Sequence, residues 1–339
     1  MFFGYLLFPY YHQKISELKL CAMRFLKLTI LLYLAIATTA HGQNNESGQR
    51  LSIRVYLEGA LINNGNAISQ DGRPLMRDNL RFSPFNGLNY LPASDPYQQK
   101  IGDVDLKITN AHVAPGNRAN LCKIYDPDAV FGVIGDDAIV DWVFVEIRKA
   151  GDPGQVLATR SCLLQRDGDI VDVDGLSAVW FPEMMDEIFH VVVRHRNHLG
   201  VMSKIVTADQ LIDFTSTSQQ LFDFGTTKAE GYDFTNMAQK TIAFQGYRAL
   251  WAGDFNADRK IKFSIPNDDL TTAFYEQDFT GTGYSPGYYQ GDFNMNSVVT
   301  FSGNPNDALL LEVQAKNYTL NPSNLPNFNF FIEQVPDRN

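Results

Sequence analysis

Cysteine, tryptophan and basic charge are all scarce in this chain. Of 339 residues three are Cys and three are Trp, and 28 Lys plus Arg stand against 38 Asp plus Glu, a formal net charge of -10. So few cysteines cannot frame a disulfide-stapled scaffold or a four-cysteine metal centre. An acidic chain without a Lys/Arg-rich block lacks the phosphate-neutralising surface that nucleic-acid affinity needs. Long apolar runs are missing as well. None after residue 42 approaches the roughly 20 residues of a membrane-spanning helix. No nucleic-acid partner and no membrane span are therefore expected for the mature chain. What remains is 45% hydrophobic, enough for a sizeable core.

The first 42 residues read as a leader. Met23-Arg24-Phe25-Leu26-Lys27 is short and basic, and Leu28 to Ala37 is apolar. Ala40-His41-Gly42 then places small residues at -3 and -1 of a cut before Gln43. That is the pattern of a secretory signal peptide starting at Met23, with residues 1–22 an upstream extension. An uncleaved anchor is the alternative. The cut-site residue is Gln43, not the Cys of a lipoprotein. The expected location is extracellular or the outer cell surface, with the periplasm as alternative. Cleavage removes Cys21 and leaves Cys122 and Cys162, which an oxidising compartment would allow to pair.

The body of the chain reads as mainly β. Leu51 to Gly59 alternates as a strand, and residues 60–120 are loop-rich in Asn, Pro, Gly and Asp. Ile139 to Ile147 predicts a strand with Trp142 in the core. Gln155–Gln165, Ile170–Asp174 and Glu187–Arg196 predict three more, with a hairpin turn at Arg166–Asp169. This spacing predicts an antiparallel β-sandwich over 43–202, an irregular connector over 203–246 and a β-rich C-terminal region over 247–339. Leu309–Val313 (LLLEV) reads as a strand.

An internal repeat dominates the last third. Gly253-Asp-Phe-Asn-Ala-Asp recurs 38 positions later as Gly291-Asp-Phe-Asn-Met-Asn. Phe-Ser and Asn-Asp follow in the same order in both copies. A D-x-N-x-D start is how a loop wraps oxygens around Ca²⁺: alternate side chains point inward, a carbonyl joins them and a later carboxylate closes the shell. The first copy offers Asp254, Asn256, Asp258, the Lys260 carbonyl and Asp268 or Asp269. The second offers Asp292, Asn294, Asn296, the Val298 carbonyl and Asp307. With three carboxylates against two, the first copy is the better Ca²⁺ candidate. Arg259 and Ser297 replace the glycine expected at the sixth position. The Arg259 guanidinium could also stand in for the metal. Asp and Asn equally build turns with no metal at all.

Taken together, Val55–Gly59, Asp141–Arg148, Leu163–Gly168, Val171–Gly175, Val192–Gly200 and Ala249–Asp254 resemble a module of large secreted Bacteroidota proteins. These are surface proteins labelled hemagglutinin-like or hypothetical. The resemblance spans about residues 51–335. It implies an exported surface context and two dockerin-like loops of the form GDxNxDGxV…NDxD. The loop acids of that pattern fall on Asp254, Asp258, Asp268, Asp292 and Asp307. The lost glycines and Asn296 depart from it. A dockerin has a helix after each loop, and LLLEV read as a strand argues against cohesin docking.

No catalytic set emerges. His190, His195 and His198 lack a carboxylate motif such as H-E-x-x-H, and Arg194 and Arg196 between them oppose a cation. They read as structural groups around a hairpin. Gly283-Tyr-Ser-Pro-Gly287 matches G-x-S-x-G, but Pro286 has no N–H for an oxyanion hole, so it reads as a turn. Asp167, Asp169, Asp172 and Asp174 are explained largely by Asp-Gly turns. The reading is a noncatalytic surface module with structural Ca²⁺, presenting a face to a glycan or a surface protein. A carbohydrate-active enzyme or its accessory binding domain is the alternative. N-terminal sequencing of the exported protein should begin at Gln43; a Met1 or Met23 start would refute the leader assignment.

Overall fold

β-branched and aromatic residues concentrate between Ile139 and Met202, and the long strands form there. A computed structural model describes residues 48–98, 123–182, 184, 186–226, 231–263, 268–274, 285–303, 306–325, 328 and 331–337. The leader and Cys122 lie outside the described residues, and Cys162 is buried. In chain order come β1 (Gly48–Leu51), β2 (Ile53–Arg54), α1 (Glu58–Leu61), α2 (Pro127–Phe131), β3 (Ile139–Lys149), β4 (Asp152–Gln165) and β5 (Asp169–Val171). They are followed by β6 (Val179–Pro182), β7 (Phe189–His195), β8 (His198–Met202), β9 (Ile212–Asp213), β10 (Lys240–Thr241) and β11 (Arg248–Ala249). The C-terminal part holds β12 (Lys260–Ile261), α3 (Asp269–Phe274), β13 (Ser285–Pro286), β14 (Val298–Val299), α4 (Asp307–Asn317) and β15 (Phe331–Ile332).

The fold is mainly β, 32% strand against 11% helix, built on a large curled sheet. Its order is β8-β7-β3-β4-β5-β2-β9. The pairs are antiparallel except β2–β9, which is parallel. The predicted central strands are present, and the turn between β4 and β5 closes through Gly168 at φ 95°. Trp142 is fully buried.

Four expectations change. The strand expected over 51–59 is two short strands ending in the helical turn of α1. There Gly59 passes so close to the second repeat that a Cβ would lie 2.0 Å from the Phe293 carbonyl oxygen. Residues 203–246, expected to be irregular, supply the edge strand β9 and pair β10 with β11. Ser285–Pro286 is a short strand against β14, not a turn. Leu309–Val313 lies inside helix α4.

From Ile139 to Arg148 every residue of β3 is buried, including Asp141, Glu146 and Arg148. A strand covered on both faces can carry charge only where each charge meets a partner. On one face Arg194 Nε donates to Glu146 Oε1 at 2.6 Å and its Nη1 to Glu333. Arg148 Nε donates to Glu146 Oε2 at 2.9 Å. Burial pushes the Glu333 carboxyl up, but Arg194 and Arg259 bring it below its ordinary value. Gly200 makes room for this cluster: its N–H donates to Glu333 Oε1 at 2.8 Å, and a Cβ would lie 2.4 Å from the same oxygen. Glu333 follows β15, so the ion cluster ties the C-terminus to the central sheet. Arg194→Met would leave two buried carboxylates short of a cation. We expect a loss of about 3–5 kcal/mol in urea unfolding; a loss below about 1 kcal/mol would show the cluster to be dispensable.

Candidate functional site

The two repeat loops share one backbone. Ala257 and Met295 have φ of 52° and 54°, and Arg259 and Ser297 have φ of 71° and 72°. Left-handed non-glycine residues cost roughly 1 kcal/mol or more each. Side chains hold them in place. Asp254 Oδ2 accepts the Arg259 N–H at 3.2 Å, and Asp292 Oδ2 accepts the Ser297 N–H at 2.8 Å. Asp258 Oδ1 accepts the Lys260 N–H at 3.0 Å, as Asn296 Oδ1 accepts the Val298 N–H at 2.9 Å. The missing sixth-position glycines are thus replaced by a carboxylate clamp. Phe255 and Phe293 meet edge to face at 6.5 Å and join the two copies.

Asp269, not Asp268, closes the first loop. Its Oδ1 accepts the N–H groups of Phe255 at 2.8 Å and Asn256 at 3.3 Å, and its Oδ2 accepts that of Lys262 at 2.7 Å. Asp307 does the same in the second, accepting from Asn294 at 3.2 Å and Thr300 at 3.0 Å. The 38-residue register maps Asp307 onto Asp269 and maps Asn306, the α4 cap, onto Asp268. That register was the signal available in the sequence. Asn256 stands beside Asp258, whose N–H its Oδ1 accepts at 2.8 Å. Lys260 and Val298, expected to lend carbonyls, lie in β12 and β14.

The loops differ in charge compensation. The Arg259 guanidinium does not enter its own loop; it bonds Glu333, Asp337 and the Val335 carbonyl. Lys262 Nζ stands 3.3 Å from Asp258 Oδ2. Burial, followed by repulsion from Asp269, Asp258 and Glu333, raises Asp254 far above its usual range, and burial pushes Asp269 up to about 8. In the second loop burial pushes Asp292 up to about 6, held there by Arg196 and Arg77, while burial and Asp292 raise Asp307. Asp254 Oδ1 and Asn294 Oδ1 are buried acceptors without a donor. Among the described residues no group of three or more His, Cys, Asp or Glu side chains converges on a metal position. Calcium is a separate case, because its shell also draws on amide and backbone oxygens. Two buried carboxyls and an orphan amide or carboxyl oxygen in each loop fit such a cation. Asp254, Asn256, Asp258 and Asp269 would hold it in the first loop, and Asp292, Asn294, Asn296 and Asp307 in the second.

The histidines serve a buried hub between the sheet and the second loop. His195 Nε2 lies 3.0 Å from Asp141 Oδ2, its Nδ1 lies 3.0 Å from His198 Nδ1, and His198 Nε2 accepts the Gly59 N–H at 3.2 Å. This chain assigns the tautomers: His195 is protonated on Nε2 and His198 on Nδ1. Arg196 Nε and the Tyr288 hydroxyl also donate to Asp141, at 2.9 and 2.8 Å. Asn197 Nδ2 donates to the Gln290 and Asp292 carbonyls, both at 2.9 Å. Burial lowers both histidines, His198 furthest, with His195 and Arg196 adding repulsion. His190 is separate, its Nδ1 2.9 Å from the Ser203 carbonyl oxygen.

These shifts give opposite pH slopes. A histidine lowered by folding releases protons as it folds, so its penalty appears as pH falls below about 6.5. An aspartate raised by folding takes up protons, so its stability is full below its unfolded value and is lost as pH rises through about 8. Among the described residues, the loop carboxyls Asp254, Asp269 and Asp307 act in this way between pH 6.5 and 8. With chelator present, Asp269 alone should cost on the order of 2 kcal/mol across that window. Asp269→Asn should make the slope in pH-dependent urea unfolding shallower, and an unchanged slope would refute the assignment. No family model, curated protein or solved structure matches this chain.

Proposed function

We propose that the chain is an exported, noncatalytic surface module in which Ca²⁺ completes two dockerin-like loops. The cation would lock a sandwich-type β core into a shape that presents a face for adhesion to a glycan or a surface protein. One observation carries the reading: each loop buries two carboxyls against a clamped left-handed turn and leaves one buried oxygen unsatisfied. Such an arrangement is costly without a cation and favourable with one. The helices α3 and α4 start at the closing acids Asp269 and Asp307 and support the dockerin-like reading. The first loop, with an extra carboxylate and fewer protein cations, is the stronger site.

Thermal melts in millimolar Ca²⁺ and in chelator test this reading. At a hundredfold excess over Kd the gain is about 2.7 kcal/mol. The gain should be larger at pH 8 than at pH 6, because Asp269 must ionise to bind. Asp269→Asn should abolish more of it than Asp292→Asn. An unchanged Tm at saturating Ca²⁺ at pH 8 would leave the loops as turn scaffolds and overturn the proposal.

A further inference from the structure

One buried glutamate outside the loops holds an amine and a carboxamide together. Glu58, in the short helix α1, is 4% exposed, and Gln314, in α4, is 2% exposed. Lys240 Nζ bonds Glu58 Oε1, and Gln314 Nε2 bonds Glu58 Oε2. The carboxylate is fixed from behind, since Oε2 also accepts the Ala252 N–H at 3.2 Å and the Glu58 N–H donates to the Leu250 carbonyl at 3.2 Å. Lys240 is set by the β10–β11 ladder, opposite Ala249, and its Nζ lies 5.4 Å from the centre of the Trp251 ring. Gln314 is set by α4, which packs through Leu311 and Ala315. It sits close because Gly253 lets Leu311 approach: a Cβ there would lie 2.2 Å from Leu311 Cδ2.

The orientation of the carboxamide is the informative point. Gln314 Oε1 is buried and has no donor. Most buried amides satisfy both ends. Here the amide gives up its acceptor and turns its NH₂ to the carboxylate that also holds an amine. Glu58 thus holds a nucleophile on one oxygen and a leaving nitrogen on the other, with its carboxylate as the proton carrier between them.

We propose that Lys240 and Gln314 form an intramolecular isopeptide bond, with Glu58 as the proton carrier. Glu58 takes a proton from the Lys240 ammonium, and the freed amine attacks Gln314 Cδ. Glu58 then protonates Nε2 and takes the second proton from the attacking nitrogen. The Nζ–Cδ bond forms, the Cδ–Nε2 bond breaks, and ammonia leaves and carries away the proton held on Glu58 as ammonium. Nothing is oxidised or reduced, and Glu58 is returned unchanged. The bond would tie β10 to α4 and so close the repeat region covalently, independently of whether the loops bind Ca²⁺.

Peptide mapping of the exported protein decides this. Lys240 should resist trypsin, and peptides 229–248 and 263–316 should appear as one species lighter than their sum by one ammonia. Mapping is needed because Gln43 at a new N-terminus and Asn64 before Gly65 can also lose ammonia. Glu58→Gln should give the two peptides unlinked. Lys240→Arg keeps a cation on Glu58 but cannot be acylated, so it should fold, give linear peptides and melt roughly 10 °C lower. Linear peptides from the aged wild-type protein, or an ammonia loss mapped only to Gln43 or Asn64, would overturn the proposal.

Discussion

The fold depends on guanidinium groups that bury carboxylates in the central sheet. β3 is covered on both faces, and a strand so placed ordinarily excludes charge. Here Glu146 is held by Arg148 and Arg194, and Asp141 by Arg196, His195 and Tyr288. Alternation along β7 sends Arg194 toward Glu333 and His195 toward the opposite face. One hairpin thereby reaches both parts of the repeat region: the C-terminal segment through Glu333 and the second loop through Asn197. Buried ion pairs add little net stability compared with apolar packing, yet losing one partner is severe. Their value here is register, since each guanidinium fork admits one placement of the segment it grips.

What the sequence disclosed follows from this arrangement. The strands β3, β4 and β7 were legible because their apolar residues run on and Asp-Gly turns punctuate them. Trp142 lies in the core for that reason. The helix α4 was hidden by its own composition. Its buried positions Asp307, Leu311, Gln314 and Ala315 keep helical spacing, but two are polar, while the exposed Leu309 and Val313 fill the intervening sites. A reading by hydropathy sees only LLLEV. The bend at Gly59 was equally invisible, because its cause is the Phe293 backbone more than 200 residues later in the chain.

The repeat was the most legible part of the site, and its register carried more than its motif. Matching Asn-Asp to Asn-Asp pointed to Asp268; keeping the 38-residue offset points to Asp269, whose oxygens accept the loop N–H groups. The structural role of the histidines and arginines in Arg194–His198 was also legible. Their partners were not, because the acceptors Glu333, Gln290 and Asp292 are brought in by distant segments.

The two loops share a backbone but not a charge environment. Their backbones agree to within a few degrees at the left-handed positions, and the clamp from Asp254 or Asp292 is present in both. The charges around them differ. The second loop has Asn296 where the first has Asp258 and sits against Arg77 and Arg196, which pull Asp292 back toward ordinary carboxylate behaviour. Arg259 would offer the first loop the same relief, but Glu333, Asp337 and the Val335 carbonyl hold its guanidinium elsewhere. Glu333 in turn is needed by Arg194. The ion cluster that fixes the C-terminus therefore withholds the Arg259 guanidinium from the first loop, and burial without that cation raises Asp254 and Asp269.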